Sequence, residues 1–344
     1  YADSYDRDLD LIVRADNLGF KEVWVGEHVT ERWENAPCPD LLLAKASAMT
    51  KNILLGTGVN LLTLHNPVEL GHRIAMLDHL THGRLQWGIG HRAITEDLQL
   101  FGLGSLQGDE VRERAAEALD LILEMWASEG KFSFKGKYFD IDAPELDPIR
   151  ERGLHMKPLQ KPHPPIFVAA SSGRSASIRT AARRGYLPMS SSGLAPRFLA
   201  EHWSVIEDSA AEVGTKVNRS DWRIARDVFI AETDDLARER ARAVLGRNYI
   251  QHQLPNRANS GQIQNAKLTP DIPDEALDVD YMMENIWIVG GPQQCADKIR
   301  KLYNEVGGFG HLLAITQDPD DPSWEHETLD LLKEEVAPRV ADLI

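Results

Sequence analysis

The sequence has few cysteines and no long hydrophobic run, and these two absences exclude several classes of protein. Cys38 and Cys295 are the only cysteines, and their separation gives neither a disulfide framework nor a CxxC metal pair. No apolar run approaches the roughly 18 to 20 residues that a helix needs to cross a bilayer, and the N-terminus lacks the layout of a signal peptide. We therefore expect a cytoplasmic protein.

Positive charge is also scarce. The chain of 344 residues has 38 basic against 53 acidic residues, a formal net charge of −15. This charge repels phosphate backbones and anionic membrane surfaces, so we expect neither nucleic acid nor a membrane as a partner. Hydrophobic residues make up 42% and charged residues 26%, as in an ordinary folded globular protein, and the length suits one large barrel or two domains.

Several catalytic motifs are missing. The sequence contains no HExxH, CxxC, GxxxxGK[ST] or GxSxG, which leaves metalloprotease, zinc-ribbon, P-loop and hydrolase interpretations without support. Its twelve histidines form no ligand-spaced set, so we predict no metal. A metal site assembled from distant strand ends stays open as an alternative.

What the sequence does contain is a repeated alternation of strand and helix patterns, which predicts a parallel sheet. A (β/α)8 TIM barrel needs eight strands. The chain does not begin with Met, and we expect the first strand to precede Tyr1, with one barrel domain spanning 1–344. A doubly wound open sheet is the alternative, but its glycine pattern is not seen after the first strand. The seven predicted strands begin at Glu22, Ile53, Arg84, Pro165, Tyr186, Ile224 and His311, with a short extra piece at Ile286.

Two segments interrupt the alternation. Residues 130–142 ("GKFSFKGKYFDID") alternate aromatic and polar residues around Lys135-Gly136, which predicts an inserted β-hairpin. Residues 251–284 are long, polar and rich in proline, asparagine and glutamine, which predicts a mobile lid.

Polar residues follow the predicted strands at their carboxyl ends, where a barrel of this kind builds its active site. Glu27 and His28 come directly after the apolar "VWV", although a solvated loop is the alternative explanation. After the next strand, Gly56, Thr57 and Gly58 indicate either a backbone pressed against a ligand or packing against a helix. Asn60 lies in an otherwise apolar run, where an unpaired amide is costly. His65-Asn66-Pro67 is typical of a turn and a helix start, with Asn66 as the cap.

Two further strand ends are suited to bind an anion. "GIGHRA" places His91 and Arg92 after the fourth strand. "AASSGRSAS" places hydroxyls, a glycine and a guanidinium before a helix, whose free N–H groups favour a phosphate. The predicted phosphate cradle consists of Ser171, Ser172, Gly173, Arg174 and Ser175.

Three long blocks of the sequence contain these strand ends: "LGFKEVWVGEH", "LGTGVNLLTLHNPVELGHRIAMLDHLTHGRLQWGIG" and "PIFVAASSGRSASIRTAARRGY". A weaker fourth block is "IVGGPQQCADKI". The three blocks together resemble the bacterial luciferase-like family of flavin-dependent barrels, and the fourth is typical of the family's C-terminal part. The resemblance covers most of the chain.

This resemblance implies a two-component monooxygenase. Such enzymes receive reduced FMN from a separate NAD(P)H:flavin reductase, add O2 at the flavin C4a, and use the peroxyflavin to oxygenate a small organic substrate, here one with some apolar surface. Family members are usually homo-oligomers, which implies a homodimer or homotetramer. Two alternatives stay open: hydride transfer with the deazaflavin F420, as in the family's other branch, and a non-catalytic flavin-binding protein.

The resemblance also implies roles for the residues at the strand ends. His28, with Glu27 beside it, corresponds to the catalytic position and is implied as the acid/base group near the flavin. Thr57 and Gly58 are implied to lie against the isoalloxazine ring, with a cis peptide bond between Gly58 and Val59. The chain departs from the luciferases at Val29, where they have a second histidine.

The implied flavin phosphate contacts include the loop Ser171 to Ser175. His91 stands where luciferases have a phosphate-binding arginine, a second departure from that pattern. The permanent positive charge is then expected from Arg92 or Arg174.

Overall fold

The computed structural model describes residues 1–34, 36–91 and 93–343, so Arg92 lies outside the described residues. The backbone groups into two compact units, of which unit 1 is Tyr1–Phe167 and unit 2 begins at Val168. The single domain over 1–344 and the strand before Tyr1 both stay predictions. Among the described helices, none is long and apolar enough to cross a membrane.

Unit 1 alternates helices with mostly parallel strands, largely in the order that the sequence predicts, with α4 as an additional helix. Its helices are α1 (Ala2–Leu18), α2 (Pro39–Met49), α3 (Pro67–Leu80), α4 (Thr95–Leu100) and α5 (Asp109–Ala127). Its strands are β1 (Glu22–Val25), β2 (Leu54–Thr57), β3 (Asn60–Leu61), β4 (Leu85–Gly90), β5 (Ser133–Lys135), β6 (Asp140–Asp142) and β7 (Ile166–Ala170), the last of which crosses into unit 2.

The parallel strands of unit 1 bring their carboxyl ends to one edge. β1 pairs with β2, and both β2 and β3 pair with β4, all in parallel. Every residue of β4 is buried, as expected for a parallel strand covered on both faces. α3 begins as predicted, because the Asn66 side chain accepts hydrogen bonds from the N–H groups of Val68 and Glu69 and Pro67 occupies the first turn. The antiparallel pair β5–β6 lies within residues 130–142, where the sequence predicts a hairpin.

Unit 2 continues the same alternation. Its strands are β8 (Leu187–Ser190), β9 (Arg223–Ile230), β10 (Ile288–Gly290) and β11 (His311–Ile315). Its helices are α6 (Ala176–Arg184), α7 (Pro196–Val213), α8 (Asp234–Ala241), α9 (Leu254–Asn259), α10 (Val279–Asn285), α11 (Pro292–Val306), α12 (Ser323–Leu331) and α13 (Ala337–Arg339). Strand β9 is the centre of this unit, since β8, β10 and β11 all pair with it in parallel.

The segment 251–284, predicted as a lid, contains α9, α10 and two short 3₁₀ turns. Its last part is apolar and packed: Leu277, Val279, Met282 and Met283 are each at most 6% exposed within one hydrophobic cluster. These four side chains therefore belong to the core of unit 2. The lid stays a prediction for the rest of the segment.

Candidate active site

A buried chain of hydrogen bonds joins the carboxyl ends of β1, β3 and the middle of β4. Glu27, only 3% exposed, accepts hydrogen bonds at Oε2 from Asn60 Nδ2 (2.8 Å) and the Leu61 N–H (3.2 Å). Its Oε1 lies 2.7 Å from His65 Nε2. Asn60 Oδ1 in turn accepts from Trp87 Nε1 at 3.2 Å. Asn60 thus finds partners for both ends of its amide, as a buried amide requires.

These hydrogen bonds change the interpretation of two residues, Glu27 and His65. Both oxygens of Glu27 are engaged with protein groups, so its carboxylate is arranged to hold its neighbours. His65 is a member of the site, although the sequence pattern around it is that of a turn before a helix. The local sequence could not show the contact between His65 and Glu27, because the two residues are 38 positions apart in the sequence.

His28 lies at the same strand end and is surrounded by carboxylates. Its Nδ1 lies 3.4 Å from Glu31 Oε2 and 3.9 Å from Asp97 Oδ2, and its Nε2 lies 3.8 Å from Glu34 Oε2. The imidazole is 25% exposed, whereas the Asp97 side chain is fully buried and that of Glu34 is 53% exposed. The Nδ1 edge of His28 therefore faces the protein interior, and the Nε2 edge faces the more open side.

Asp97 is fixed in place by the loop that carries His28. In the first turn of α4, its Oδ1 accepts hydrogen bonds from Thr30 N (2.9 Å) and Thr30 Oγ1 (2.6 Å). Among the described residues, Asp97 Oδ2 and His28 Nδ1 are both buried atoms without a hydrogen-bond partner. Nothing in the local sequence distinguishes Asp97 as a site residue, because an acid in the first turn of a helix is ordinarily explained by the helix dipole.

One group of side chains here has the composition of a metal site. Ligand atoms of His28, Glu31 and Glu34 all lie within 4.8 Å of one another. The prediction of no metal rests on sequence spacing alone and stays a prediction.

Close packing within unit 1 explains why glycine occupies Gly56 of β2 and Gly88 of β4. A Cβ on Gly56 would collide with the indole ring of Trp24, and a Cβ on Gly88 would collide with the carbonyl of Thr57. The sequence pattern allows either a ligand or a helix as the neighbour of these glycines, and for Gly56 the neighbour is the side chain of Trp24. The fully buried Thr57 hydroxyl donates to the Gly88 carbonyl at 2.8 Å.

Two other predictions concern these strand ends. The cis peptide bond between Gly58 and Val59 is present, as predicted. His91 directly follows β4 and is partly buried, and its carbonyl lies 3.4 Å from Thr63 Oγ1.

In unit 2, the loop Ser171 to Ser175 leads from β7 into α6, as predicted. Ser171, Ser172 and Arg174 are exposed, and Ser175 caps the helix by accepting a hydrogen bond from the Ser177 N–H. Gly173 is buried, and a Cβ there would collide with the side chains of Glu201 and Phe198. The loop therefore presents the side chains of two serines and an arginine to solvent, beside the N-terminus of α6.

A buried histidine of helix α7, His202, is hydrogen-bonded to the backbone of this loop. His202 Nε2 donates to the Ser172 carbonyl at 2.5 Å, and its Nδ1 accepts from Ser190 Oγ at 2.8 Å. Ser190 Oγ accepts in turn from Trp222 Nε1 at 2.9 Å. Burial lowers the pKa of His202 to about 4, against the opposing effect of the Ser172 carbonyl, so the ring is neutral at pH 7. His202 is not among the residues predicted from the sequence, because its local pattern is that of an ordinary residue of helix α7.

The loop is also tied to the segment 251–284. Asn265 Nδ2 donates to the Ser171 carbonyl at 3.0 Å, and the Asn265 carbonyl accepts from the Ala195 N–H at 2.8 Å. The predicted lid segment thus contacts the predicted phosphate cradle at its first serine.

A protein-family model and two known monooxygenases match most of this chain. A protein-family model described as "Luciferase-like monooxygenase" matches residues 1–308. The chain is 32% identical to 2,5-diketocamphane 1,2-monooxygenase 1 of Pseudomonas putida, over 98% of this chain and 94% of that protein. It is 29% identical to limonene 1,2-monooxygenase of Rhodococcus erythropolis, over 96% of this chain and 80% of that protein.

Solved structures agree with the sequence relatives. The oxygenating constituent of 3,6-diketocamphane monooxygenase from Pseudomonas putida, a type II Baeyer-Villiger monooxygenase in complex with FMN, matches with a TM-score of 0.89 and 29% identity, over 97% of this chain and 93% of that one. An F420-dependent secondary alcohol dehydrogenase matches with a TM-score of 0.72 but only 20% identity, over 98% and 95%, which shows a shared fold alone. The predicted α/β TIM-barrel fold class is confirmed.

Proposed function

Because the chain belongs to the luciferase-like monooxygenase family, we propose that it is the oxygenase component of a two-component, FMN-dependent monooxygenase. It is an enzyme that acts on a small-molecule substrate with O2. A separate NAD(P)H:flavin reductase supplies its reduced FMN. The enzyme works as a cytoplasmic homodimer or homotetramer.

The residues of the predicted cradle fit the phosphate of FMN. Exposed hydroxyls of Ser171 and Ser172 and the Arg174 guanidinium stand before the N-terminus of α6, a donor set that suits a dianion. Thr57 and Gly58 would hold the ring, and His91 and Arg92 would add phosphate contacts. Reduced FMN, when bound, supplies the two electrons that allow one oxygen atom to enter the substrate and the other to leave as water.

The main support for the proposal is the position and environment of His28. It is a partly exposed imidazole beside a fully buried carboxylate, at the end of a strand where barrel enzymes place their chemistry. Imidazole is the side chain that enzymes use most often for proton transfer, so His28 acts as the acid/base group. Two carboxylates lie on the Nδ1 side, Glu31 at 3.4 Å and the fully buried Asp97 at 3.9 Å. In the working complex Asp97 would accept the Nδ1 proton and so fix the tautomer. Nε2, on the more open edge, is then the atom that transfers the proton.

Glu27 has a different role from the catalytic one that the sequence predicts. Its carboxylate holds Asn60 and His65 and does not transfer a proton to substrate, because both of its oxygens are already hydrogen-bonded. We therefore assign Glu27 as a positioning residue that fixes the strand end from which His28 projects.

The proposed reaction is Baeyer-Villiger oxygenation of a cyclic ketone. Its support is the similarity along 97% of the chain to an FMN-bound type II Baeyer-Villiger monooxygenase. The apolar body of such a ketone agrees with the predicted substrate, which has some apolar surface.

An anaerobic titration with reduced FMN and reduced F420 in parallel tests the cofactor. We expect the protein to bind reduced FMN and, once air and a cyclic ketone are admitted, to form a lactone with less hydrogen peroxide than free reduced FMN produces. Preference for F420 without oxygen consumption would move the chain to the hydride-transfer branch. FMN binding without oxygen-dependent turnover would make it a flavin-binding protein.

A further inference from the structure

The loop after β1 folds back on itself and brings two glutamates to His28. His28 and Ala36 form an antiparallel backbone bridge, and the Ala36 N–H donates to the Glu34 carbonyl at 3.0 Å. One ligand atom from each of His28, Glu31 and Glu34 lies within 4.8 Å of the other two. These three side chains, all in unit 1, therefore direct an imidazole nitrogen and carboxylate oxygens towards a common position.

The three side chains are close enough to share one divalent metal ion. Zinc binds imidazole nitrogen and carboxylate oxygen at about 2.0–2.2 Å in tetrahedral geometry, so the ligand atoms around one ion are roughly 3.5 Å apart. The distance from His28 Nε2 to Glu34 Oε2 is 3.8 Å. Because the Glu34 side chain is 53% exposed, it can move over the small remaining distance, and an ion can reach it from solvent.

The opposite edge of the imidazole supplies independent support for a metal. The Asp97 side chain is fully buried, and its Oδ2 lies 3.9 Å from His28 Nδ1. Among the described residues, this oxygen has no hydrogen-bond partner. A histidine that binds a metal through one nitrogen almost always donates the N–H of its other nitrogen to a carboxylate, a carbonyl or water, which fixes the orientation of the ring. Asp97 stands where that partner is needed.

The nitrogen available to a metal is Nε2 of His28. Nδ1 is a buried atom, whereas Nε2 lies on the side of the exposed Glu34. Nε2 is also the atom that transfers the proton in the proposed function. A metal ion on Nε2 would therefore occupy the lone pair that the reaction needs.

We propose that His28, Glu31 and Glu34 form an inhibitory site for a divalent transition-metal ion such as Zn²⁺. Nε2 and the two carboxylates bind the ion, and Asp97 accepts the Nδ1 proton. The proposal rests on the proposed function, because the ion inhibits only if Nε2 transfers a proton. It departs from the sequence-based prediction of no metal, which rests on the spacing of cysteines and histidines.

Calorimetry with ZnCl₂ measures binding directly. The protein is used without flavin, because the phosphate of FMN would itself bind zinc. A large excess of Mg²⁺ is present, since Mg²⁺ prefers an octahedral shell of oxygen ligands and should not fill a site that includes an imidazole. We expect saturable zinc binding with one site per chain that depends on His28.

Two variants and one control assign the zinc to this site. His28→Gln should remove the site. Glu34→Gln, at an exposed position, should weaken zinc binding by about tenfold or more, since loss even of an outer-shell partner lowers metal affinity by about 10- to 100-fold. Glu124→Gln makes the same change at an exposed position on α5 and should bind zinc as the wild type does.

Inhibition is measured as lactone formation from a cyclic ketone. Chemically reduced FMN replaces the flavin reductase, so that zinc cannot act on a second enzyme. We expect zinc to suppress lactone formation over the concentration range in which it binds, and a chelator to restore it. With each variant compared with its own metal-free rate, half-inhibition of Glu34→Gln should require a zinc concentration higher by the same factor as its Kd.

Four outcomes would overturn the inhibitory site. They are the absence of saturable zinc binding, equal zinc affinity of the wild type and Glu34→Gln, displacement of zinc by Mg²⁺, and zinc binding that leaves lactone formation unchanged. The proposed function is tested separately by lactone formation without metal. Its failure would count against that function and leave the calorimetry as the test of the metal site, whereas lactone formation without zinc binding would count against the site alone.

Discussion

Asp97 Oδ2 lies 3.9 Å from His28 Nδ1, and among the described residues neither atom has a hydrogen-bond partner. A buried carboxylate whose other oxygen is held twice by Thr30 cannot rotate freely to find another donor. A small movement of the imidazole would close the distance to a hydrogen bond, and apo sites often show such contacts longer than in the working complex. This pair is therefore the feature from which the chemistry can be tested most directly.

Asp97→Asn should slow oxygenation without weakening FMN binding. The amide can donate a proton to Nδ1 and so favours the wrong tautomer of His28. We expect kcat for lactone formation to fall by about tenfold or more. The decrease should be smaller than the roughly 10²–10⁴-fold decrease that loss of the acid/base group itself causes. The pH profile of kcat should also shift. Glu96→Gln, at the exposed neighbouring position, is the control, and an unchanged pH profile in Asp97→Asn would reject the coupling to His28.

His28→Gln should retain FMN but lose productive oxygenation. The glutamine keeps a polar side chain of similar reach but cannot exchange a proton near neutral pH. We expect NADH and O2 consumption, measured with a supplied flavin reductase, to continue with hydrogen peroxide in place of lactone. Loss of FMN affinity would instead assign His28 to flavin binding.

Glu27→Ala should destabilise the protein. The change leaves the buried Asn60 amide and Leu61 N–H without an acceptor and removes the partner of the partly buried His65, a loss of about 3 to 5 kcal/mol in the free energy of unfolding. Urea unfolding followed by circular dichroism measures this value. Glu27→Gln retains one acceptor and should lose less. If both variants are as stable as the wild type yet inactive, Glu27 takes part in catalysis directly.

Arg174→Ala should weaken FMN binding by about 10- to 100-fold, because a charge-assisted hydrogen bond contributes about 1.5 to 3 kcal/mol. Arg179→Ala, five positions further along the chain and within α6, removes the same charge outside the loop and should change FMN affinity little. Fluorescence titration with FMN at two salt concentrations gives both values. Equal effects of the two variants would mean that general charge, and no specific contact, attracts the phosphate.

Lowering the pH should destabilise unit 2, because His202 is buried there as a neutral ring. Its pKa is lowered on folding from an unperturbed value near 6.5 to about 4, so the unfolded chain binds a proton first as the pH falls. The penalty is absent above about pH 6.5, grows as the pH falls, and is complete near pH 4, at on the order of 3 kcal/mol. His202→Gln should flatten this part of the stability curve between pH 7 and 4. An unchanged slope would show that His202 titrates normally.

The sequence by itself determined the order of elements and the polar strand ends. Hydrophobic runs bounded by glycine, proline and cap residues are local signals, which is why strands occur at each of the seven predicted positions and why Asn66 caps α3. The loop Ser171 to Ser175 was also visible, because serine, glycine and arginine before a helix form a contiguous pattern.

Tertiary structure alone decided which distant side chains meet. Glu27 contacts Asn60 and His65, which are 33 and 38 positions away in sequence, and His28 faces Asp97 on another element. The same holds for His202 beneath Ser172 and for Gln317 at Asp227. No local pattern encodes these pairs. Parallel strands bring residues from successive crossovers to one edge, and burial there makes each polar group depend on a partner that the chain supplies from elsewhere.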